Sequence, residues 1–426
     1  MRVIVFPSAA TGSLSAPSSK SSMQRACAAA LLHNGTTIIY NAGISNDDKA
    51  ALNIIERLGA NVKIEVDKII IESNGFSAEN ISENKLISCG ESGLSFRMFA
   101  PIVALSSGTV TLTGSGSLLS RPMNFFDEVF PQLKIKIESN KGFLPLHITG
   151  PLQPINISID GSLSSQFLTG LLFAFGAAAK EEVTINVNDL KSRPYIDLTL
   201  DVMRRFGYNI INKNYRQFLI KPKSDIENIV EYTVEGDWSS ASFLLVAGAV
   251  SGTVKVLGLD ETSAQADKAI LSALKSCGAV IKNNENLIEV YKTDLKSFKF
   301  DATDCPDLFP PLAVLAAYCN GTSIITGTHR LVAKESNRAE TLKQIFGKMG
   351  IEILLLEDEM HITGGDIKSA VVSSHHDHRI AMASAIAGLG ASGLIEIENA
   401  ESINKSYPQF YNDLKKLGAD INIIEE

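Results

Sequence analysis

No apolar run in this 426-residue sequence is long enough to cross a bilayer. The longest, FLTGLLFAFGAAA at 167–179, falls short of the roughly 18 residues a spanning helix needs. The start, MRVIVFPSAATG, has too few apolar residues after Arg2 for a signal-peptide core. Cysteine is scarce: Cys27, Cys89, Cys277, Cys305 and Cys319 are odd in number and form no CxxC pair. That pattern excludes a disulfide framework or zinc ribbon and fits reduced, core-packed thiols in a cytoplasmic protein. Positive charge is in deficit, with 39 Lys plus Arg against 47 Asp plus Glu and a net charge of −8. A nucleic-acid or anionic-membrane surface is therefore not the main partner, although a local cationic pocket is compatible with that total. Nucleotide-binding glycine motifs are missing too: GSGSLL at 114–119 lacks the third glycine of a dinucleotide fingerprint, and no GxxxxGK(S/T) occurs. No GxSxG elbow is present for a Ser-His-Asp hydrolase. The HHDH run at 375–378 is not a metal site, because adjacent His-Asp-His side chains cannot easily all face one ion.

What the sequence has is repetition. At 45% hydrophobic and 20% charged, it can bury a large core, and its length calls for more than one domain. A small apolar helix followed by Gly and a β-branched run recurs at Gly35, Gly108, Gly252, Gly321 and Gly393, with EEVTINVND at 181–189 filling the double gap. An amphipathic helix ending in glycine, then a strand, recurs behind it at Gly59, Gly207, Gly278, Gly350 and Gly418, with FPQLKIKI at 130–137 in the sixth place. Glycine after a last helical turn is the expected left-handed cap. Six units of about 71 residues account for nearly the whole chain. Each reads helix, strand, helix, strand, strand; the first has helices at 18–33 and 47–58 and strands at 36–40, 61–66 and 68–72. The last unit ends one strand early, and RVIVF at 2–6 is the spare strand that completes it. The units thus divide three and three, into a domain of residues 1–16 and 236–426 holding both termini and an inserted domain of 17–235.

The first helix of each unit is apolar except at its start. The six starts are SSKSSMQR, GESGLSFR, GSLSSQF, GDWSSAS, DCPDLFP and HHDHR. Serine and aspartate there serve as N-caps, but capping does not account for the recurring cations. Helix N-termini carry unpaired N–H groups and about half a positive charge. With Lys20, Arg25 and Arg379 beside them, and Arg121, Lys334, Arg338 and Lys405 on connecting segments, they suit ligands with several phosphates or carboxylates.

In order along the chain, SSKSSMQR, SRPM, GSLSSQF, KSRPYID, EGDWSSAS, KESNR, DHRIAM and NKSYPQF resemble the 5-enolpyruvylshikimate-3-phosphate synthase family of enolpyruvyl transferases. The resemblance implies an α/β fold, an inside-out α/β barrel of two domains with three βαβαββ-type units each and the active site in the cleft between them. It implies a transferase of the shikimate pathway that moves the carboxyvinyl group of phosphoenolpyruvate to the 5-hydroxyl of shikimate 3-phosphate, without metal or organic cofactor, as a cytoplasmic monomer. Carried over by residue, Ser21 and Arg25 hold the shikimate carboxylate; Ser164, Ser165 and Ser192 hold its phosphate; Gln166 and Tyr195 lie against its ring. Lys20, Gly93, Arg121, Arg338, Arg379 and Lys405 clamp phosphoenolpyruvate, with Gln166 beside both substrates. Asp307 accepts the 5-hydroxyl proton, Lys334 orients that hydroxyl, and Glu335 or Lys20 handles the methylene proton; Lys20, Asp307 and Lys334 thus also belong to the residues that bind shikimate 3-phosphate. The sister family that uses a UDP-N-acetylglucosamine acceptor carries a reactive loop cysteine, and VTLTGSGSLLS at 110–120 has none. Two residues depart from the pattern: Leu94, where a small or hydroxylated residue is usual, and Asn337, in place of an aspartate.

Overall fold

The structure is a computed structural model that describes residues 1–76, 84–224, 226–284, 286–332 and 334–425. The described residues form six four-stranded sheets. Each joins a parallel pair of strands to an antiparallel partner, and in four of the six the parallel pair is separated in sequence by one buried helix. In the sheet nearest the middle of the chain, Ile157–Asp160 runs parallel to Val183–Asn188, which pairs antiparallel with Gln217–Lys221 and through it with Asn209–Lys213. The helices between these strands are Ser165–Ala178 and Arg193–Arg205.

Burial follows the residue pattern. Phe143–Thr149 alternates exposed and buried side chains, as a sheet with one face on a core must. The first helices are apolar around their whole circumference, and every residue of Trp238–Ser251 is buried. In each unit three such helices pack on one another at the centre, with the sheets outside them. Small residues allow the approach: a Cβ on Gly170 would lie 2.6 Å from the carbonyl oxygen of Arg97 on the neighbouring helix. The second helices are amphipathic and lie nearer the surface. Asn46–Arg57 starts with a capping box in which Ser45 and Asp48 satisfy each other's backbone N–H.

The repeat glycines at 59, 207, 278, 350 and 418 all have positive φ. In the degenerate sixth place Lys134 takes the same left-handed turn, at φ 60°. The strand that precedes each buried helix is the element the sequence reading omitted. Two of these are far from their partners in sequence. Thr11–Ser15 pairs with Thr253–Leu257, and Ile229–Thr233 pairs with Asn34–Tyr40. TGSLS has too little apolar character to be recognised as a strand. Arg2–Val5 lies between Ile395–Glu398 and Ile421–Ile424, antiparallel to both, and completes the last sheet.

The chain divides into two compact units, Met1–Pro17 with Glu235–Glu426, and Ser18–Val234. The boundaries differ by one residue at each crossing from those read in the sequence. Pro17 stays with the terminal unit because its carbonyl accepts a 2.8 Å bond from the Asp237 N–H. Glu235 stays with it next to Gly236, which packs against Gly258 and Ala16.

Val3 and Val5 are fully buried in the last sheet. Val5→Asp is expected to cost more than about 4 kcal/mol by burying an unpaired charge, whereas Ile4→Thr on the outer face stays within about 0.5 kcal/mol. Urea titration followed by circular dichroism measures both. An unchanged midpoint for Val5→Asp would remove the N-terminal strand from the sheet.

Candidate active site

Five of the six buried helices are capped by a side chain at their start. Ser19, Ser92, Ser164, Asp237 and Asp377 accept from the N–H groups of Ser22, Ser95, Gln166, Ser240 and Arg379, respectively. The sixth start is different. Its helix, Phe309–Ala317, is entered through the short turn Pro306–Leu308 with no side-chain cap, and Asp307 turns instead toward cations. Lys334 Nζ lies 3.1 Å and Arg338 Nη1 2.7 Å from its Oδ1, and Arg379 Nη2 lies 3.3 Å from its Oδ2. Burial alone would raise the Asp307 carboxyl. Arg379, Lys334 and Arg338 outweigh that and hold it well below the usual carboxylate range. Burial lowers the Lys334 ammonium from its ordinary value despite Asp307 and Glu335 beside it.

Arg338 organises this cluster. It is 1% exposed and opens the helix Arg338–Lys348. Its Nε and Nη2 reach Asp377 Oδ2 and Oδ1 at 2.8 and 3.2 Å, and Nη2 also reaches Glu335 Oε2 at 2.5 Å. With Nη1 on Asp307, four of its five N–H groups are engaged by carboxylates. Burial would lower its pKa, but Asp377, Glu335 and Asp307 raise it. Lys405, at the end of the turn Ala400–Lys405, brings its Nζ to 3.9 Å from Glu335 Oε1. Asp307, Lys334, Glu335, Arg338, Arg379 and Lys405, all expected from the sequence, thus share one contiguous network in the terminal unit.

The other expected residues lie in the inserted unit. Lys20 is the first residue of Lys20–Leu32 and pairs with Asp47 at 2.8 Å. One turn on, the Arg25 guanidinium donates to the Ser21 carbonyl at 2.8 Å, to Thr199 Oγ1 at 2.8 Å and to the Tyr195 carbonyl at 3.2 Å, joining Ser21, Arg25 and Tyr195. Gly93 is the first residue of Gly93–Val103, and a Cβ there would meet Arg121 Nη1 at 2.5 Å. A side chain at 93 would displace the Arg121 guanidinium. Gln166 accepts from Arg97 Nη1 at 2.9 Å. Ser164 and Ser165 open one helix, and Ser192, in a left-handed conformation at φ 53°, opens the next. The two starts are tied by a bond from the Lys191 N–H to the Gly161 carbonyl.

Several supporting residues were not singled out in the sequence: Asp47, Arg97 and Asp377. Asp47 and Asp377 resembled ordinary first-turn and capping acids, and Arg97 sat inside an apolar helix. The two departures also find their places. Leu94 is buried in the hydrophobic core of the inserted unit. Asn337 precedes the Arg338 helix without a capping bond from its side chain. No group of three or more His, Cys, Asp or Glu among the described residues could hold a metal ion. The five cysteines are buried and free.

Buried helices in threes, sheets outside them, and cations with carboxylates gathered at the helix starts define the enolpyruvyl transferase class of inside-out α/β barrel. The model of the EPSP synthase (3-phosphoshikimate 1-carboxyvinyltransferase) family matches residues 6–414, and the chain belongs to that family. A 3-phosphoshikimate 1-carboxyvinyltransferase of Clostridium novyi (strain NT) is 37% identical, over 98% of both chains. One of Clostridium perfringens (strain SM101 / Type A) is 39% identical over the same shares. The structure of EPSP synthase from Acinetobacter baumannii superposes with a TM-score of 0.82 at 24% identity, covering 100% of both chains. The enolpyruvyl transferase NikO from Streptomyces tendae has a TM-score of 0.77 at 16% identity, covering 99% of this chain and 98% of that one. These two structures speak to the fold.

Arg338→Ala would take from the buried Asp377 the arginine it is paired with and weaken the pairing of Glu335 and Asp307, and a loss of about 3–5 kcal/mol is expected in urea unfolding. Lys334→Ala, which leaves Asp307 with Arg338 and Arg379, is expected to cost less than Arg338→Ala. Asp307 titrates lower folded than unfolded. Its ionised form therefore stabilises the fold above the unfolded carboxyl value of about 4, and that contribution is lost as pH falls through the lowered value. Asp307→Asn should flatten the acid limb of a stability-against-pH curve; an unchanged limb would contradict the geometry.

Proposed function

We propose that this chain transfers the carboxyvinyl group of phosphoenolpyruvate to the 5-hydroxyl of shikimate 3-phosphate and releases phosphate, as a cytoplasmic, monomeric enzyme of the shikimate pathway. The observation that carries this reading is Asp307, a carboxylate that caps nothing and is held ionised by Lys334, Arg338 and Arg379. A general base must be unprotonated and within reach of its proton, and this one is ready at neutral pH.

The chemistry joins an acid and a base on neighbouring atoms. Protonation of the methylene carbon turns the enol ester into an oxocarbenium-like species. The 5-hydroxyl oxygen then bonds to its C2 while the hydroxyl proton passes to Asp307, with Lys334 orienting the oxygen. The product is a tetrahedral ketal phosphate. Loss of phosphate and of one methyl proton restores the double bond and completes the transfer. Lys20, paired with Asp47, is assigned to supply the first proton, and Glu335, paired with Arg338, to remove the last.

The substrates together carry about five to six negative charges. Lys20, Gly93, Arg121, Gln166, Arg338, Arg379 and Lys405 are assigned to phosphoenolpyruvate. Arg338 has one N–H beyond its carboxylate partners, so its part is largely the positive potential it adds. Ser21 and Arg25 are assigned to the shikimate carboxylate, with Gln166 and Tyr195 against the ring. Ser164, Ser165 and Ser192 are assigned to its phosphate, at helix starts whose free N–H groups favour an anion.

Phosphate release from phosphoenolpyruvate should be seen with shikimate 3-phosphate and not with UDP-N-acetylglucosamine as acceptor. Turnover with the sugar nucleotide alone would overturn the reading. Asp307→Asn should lower kcat by about 10²–10⁴ with smaller changes in KM. A near-normal kcat would take the base role from Asp307.

A further inference from the structure

Asp267 is a buried carboxyl that no step above uses. It sits on the short turn Ala266–Ala269 and is 1% exposed. That turn is clasped to the start of the helix Trp238–Ser251. Gln265 Nε2 donates to the Gly236 carbonyl at 2.8 Å, and Gln265 Oε1 accepts from the Trp238 N–H at 3.0 Å. The Trp238 indole N–H donates to the Asp260 carbonyl at 2.9 Å, so the helix start and the loop before Asp267 are fastened at three points. Ser239, the next residue of the helix, is hydrogen-bonded to Asp267 and accepts from Arg379 Nη1. Arg379 Nη2 donates to Asp307 Oδ2 at 3.3 Å.

The order of donors in this chain is set by valence. A serine hydroxyl has one hydrogen, and an ionised carboxylate only accepts. The Ser239 hydrogen therefore goes to Asp267, which leaves the oxygen lone pairs for Arg379. Burial pushes the Asp267 carboxyl up to about 6, with Asp307 and Asp237 adding to the rise and Arg379 and Ser239 opposing it.

We infer that Asp267, acting through the Ser239 hydroxyl, is a positioning residue that fixes the guanidinium of Arg379. This rests on the proposed role of Arg379 in holding phosphoenolpyruvate. Without the link the guanidinium keeps its bond to Asp307 but can rotate about it, and the anion it is meant to meet loses a fixed partner. The effect is therefore specific to one substrate. A residue that only kept the turn folded would affect both substrates together.

The test is a double-mutant cycle on Asp267→Asn and Ser239→Ala, with both KM values, kcat and the melting temperature measured for each variant. Each single change is expected to raise KM for phosphoenolpyruvate by about tenfold or more, as loss of a hydrogen bond to a charged group does, with KM for shikimate 3-phosphate within about twofold of wild type. The double variant should be no worse than the weaker single, because both changes cut one link. Ser239→Thr, which keeps the hydroxyl, should retain most of the affinity. Additive effects, or parallel rises in both KM values, would overturn the assignment. If Asp267→Asn does not fold, Ser239→Ala decides alone: an unchanged KM for phosphoenolpyruvate overturns it. Wild-type turnover tests the proposed function separately, so a failed cycle leaves that reading standing.

Discussion

The guanidinium of Arg338 is the interaction on which the chemistry of the terminal unit depends. It is buried, it carries a charge it cannot lose, and it reaches Asp377, Glu335 and Asp307 on three different segments. Burying that charge is costly, and the cost is offset only because nearly all of its N–H groups find carboxylate oxygens. The consequence is geometric. The start of one buried helix, the start of an outer helix and the turn that bears Asp307 are all referred to a single planar group. The Asp307 carboxylate is held in place by the same contacts that keep the arginine satisfied.

The architecture places those contacts where they are needed. A helix that is apolar on every side has nowhere to put polar residues except its ends, and its first N–H groups require partners. Three such helices packed together bring three polar starts into one region of each unit. Serine and aspartate caps satisfy most of them. The exception at Asp307, where a turn replaces the cap, leaves a carboxylate for other work. Charge is distributed accordingly: the chain is acidic as a whole, yet Lys334, Arg338, Arg379 and Lys405 converge with Asp307 and Glu335.

The inserted unit uses different devices. Lys20 pairs with Asp47, and Arg25 is held by two backbone carbonyls and Thr199. Arg97 lies over the Phe167 ring, 5.1 Å from its centroid, and also holds the Gln166 amide oxygen.

Much of this was legible in the residues. The period of about 71, the glycine-ended helices and the lone strand at the N-terminus follow from local pattern, since helix, cap and alternation depend on neighbours within a turn or two. The cations at the helix starts were legible for the same reason. The strands Thr11–Ser15 and Ile229–Thr233 were not, because their partners are some two hundred residues away and their own composition is too weak to declare them. Nor could Asp377, Asp47 and Asp267 be told from ordinary capping or surface acids. Sequence alone determined that the chain is built from six similar units and which residue types stand at their joints. The tertiary structure decided which carboxylate meets which cation, because all of those pairs but Glu335–Arg338 join segments tens of residues apart or more and depend on burial, which no local window contains.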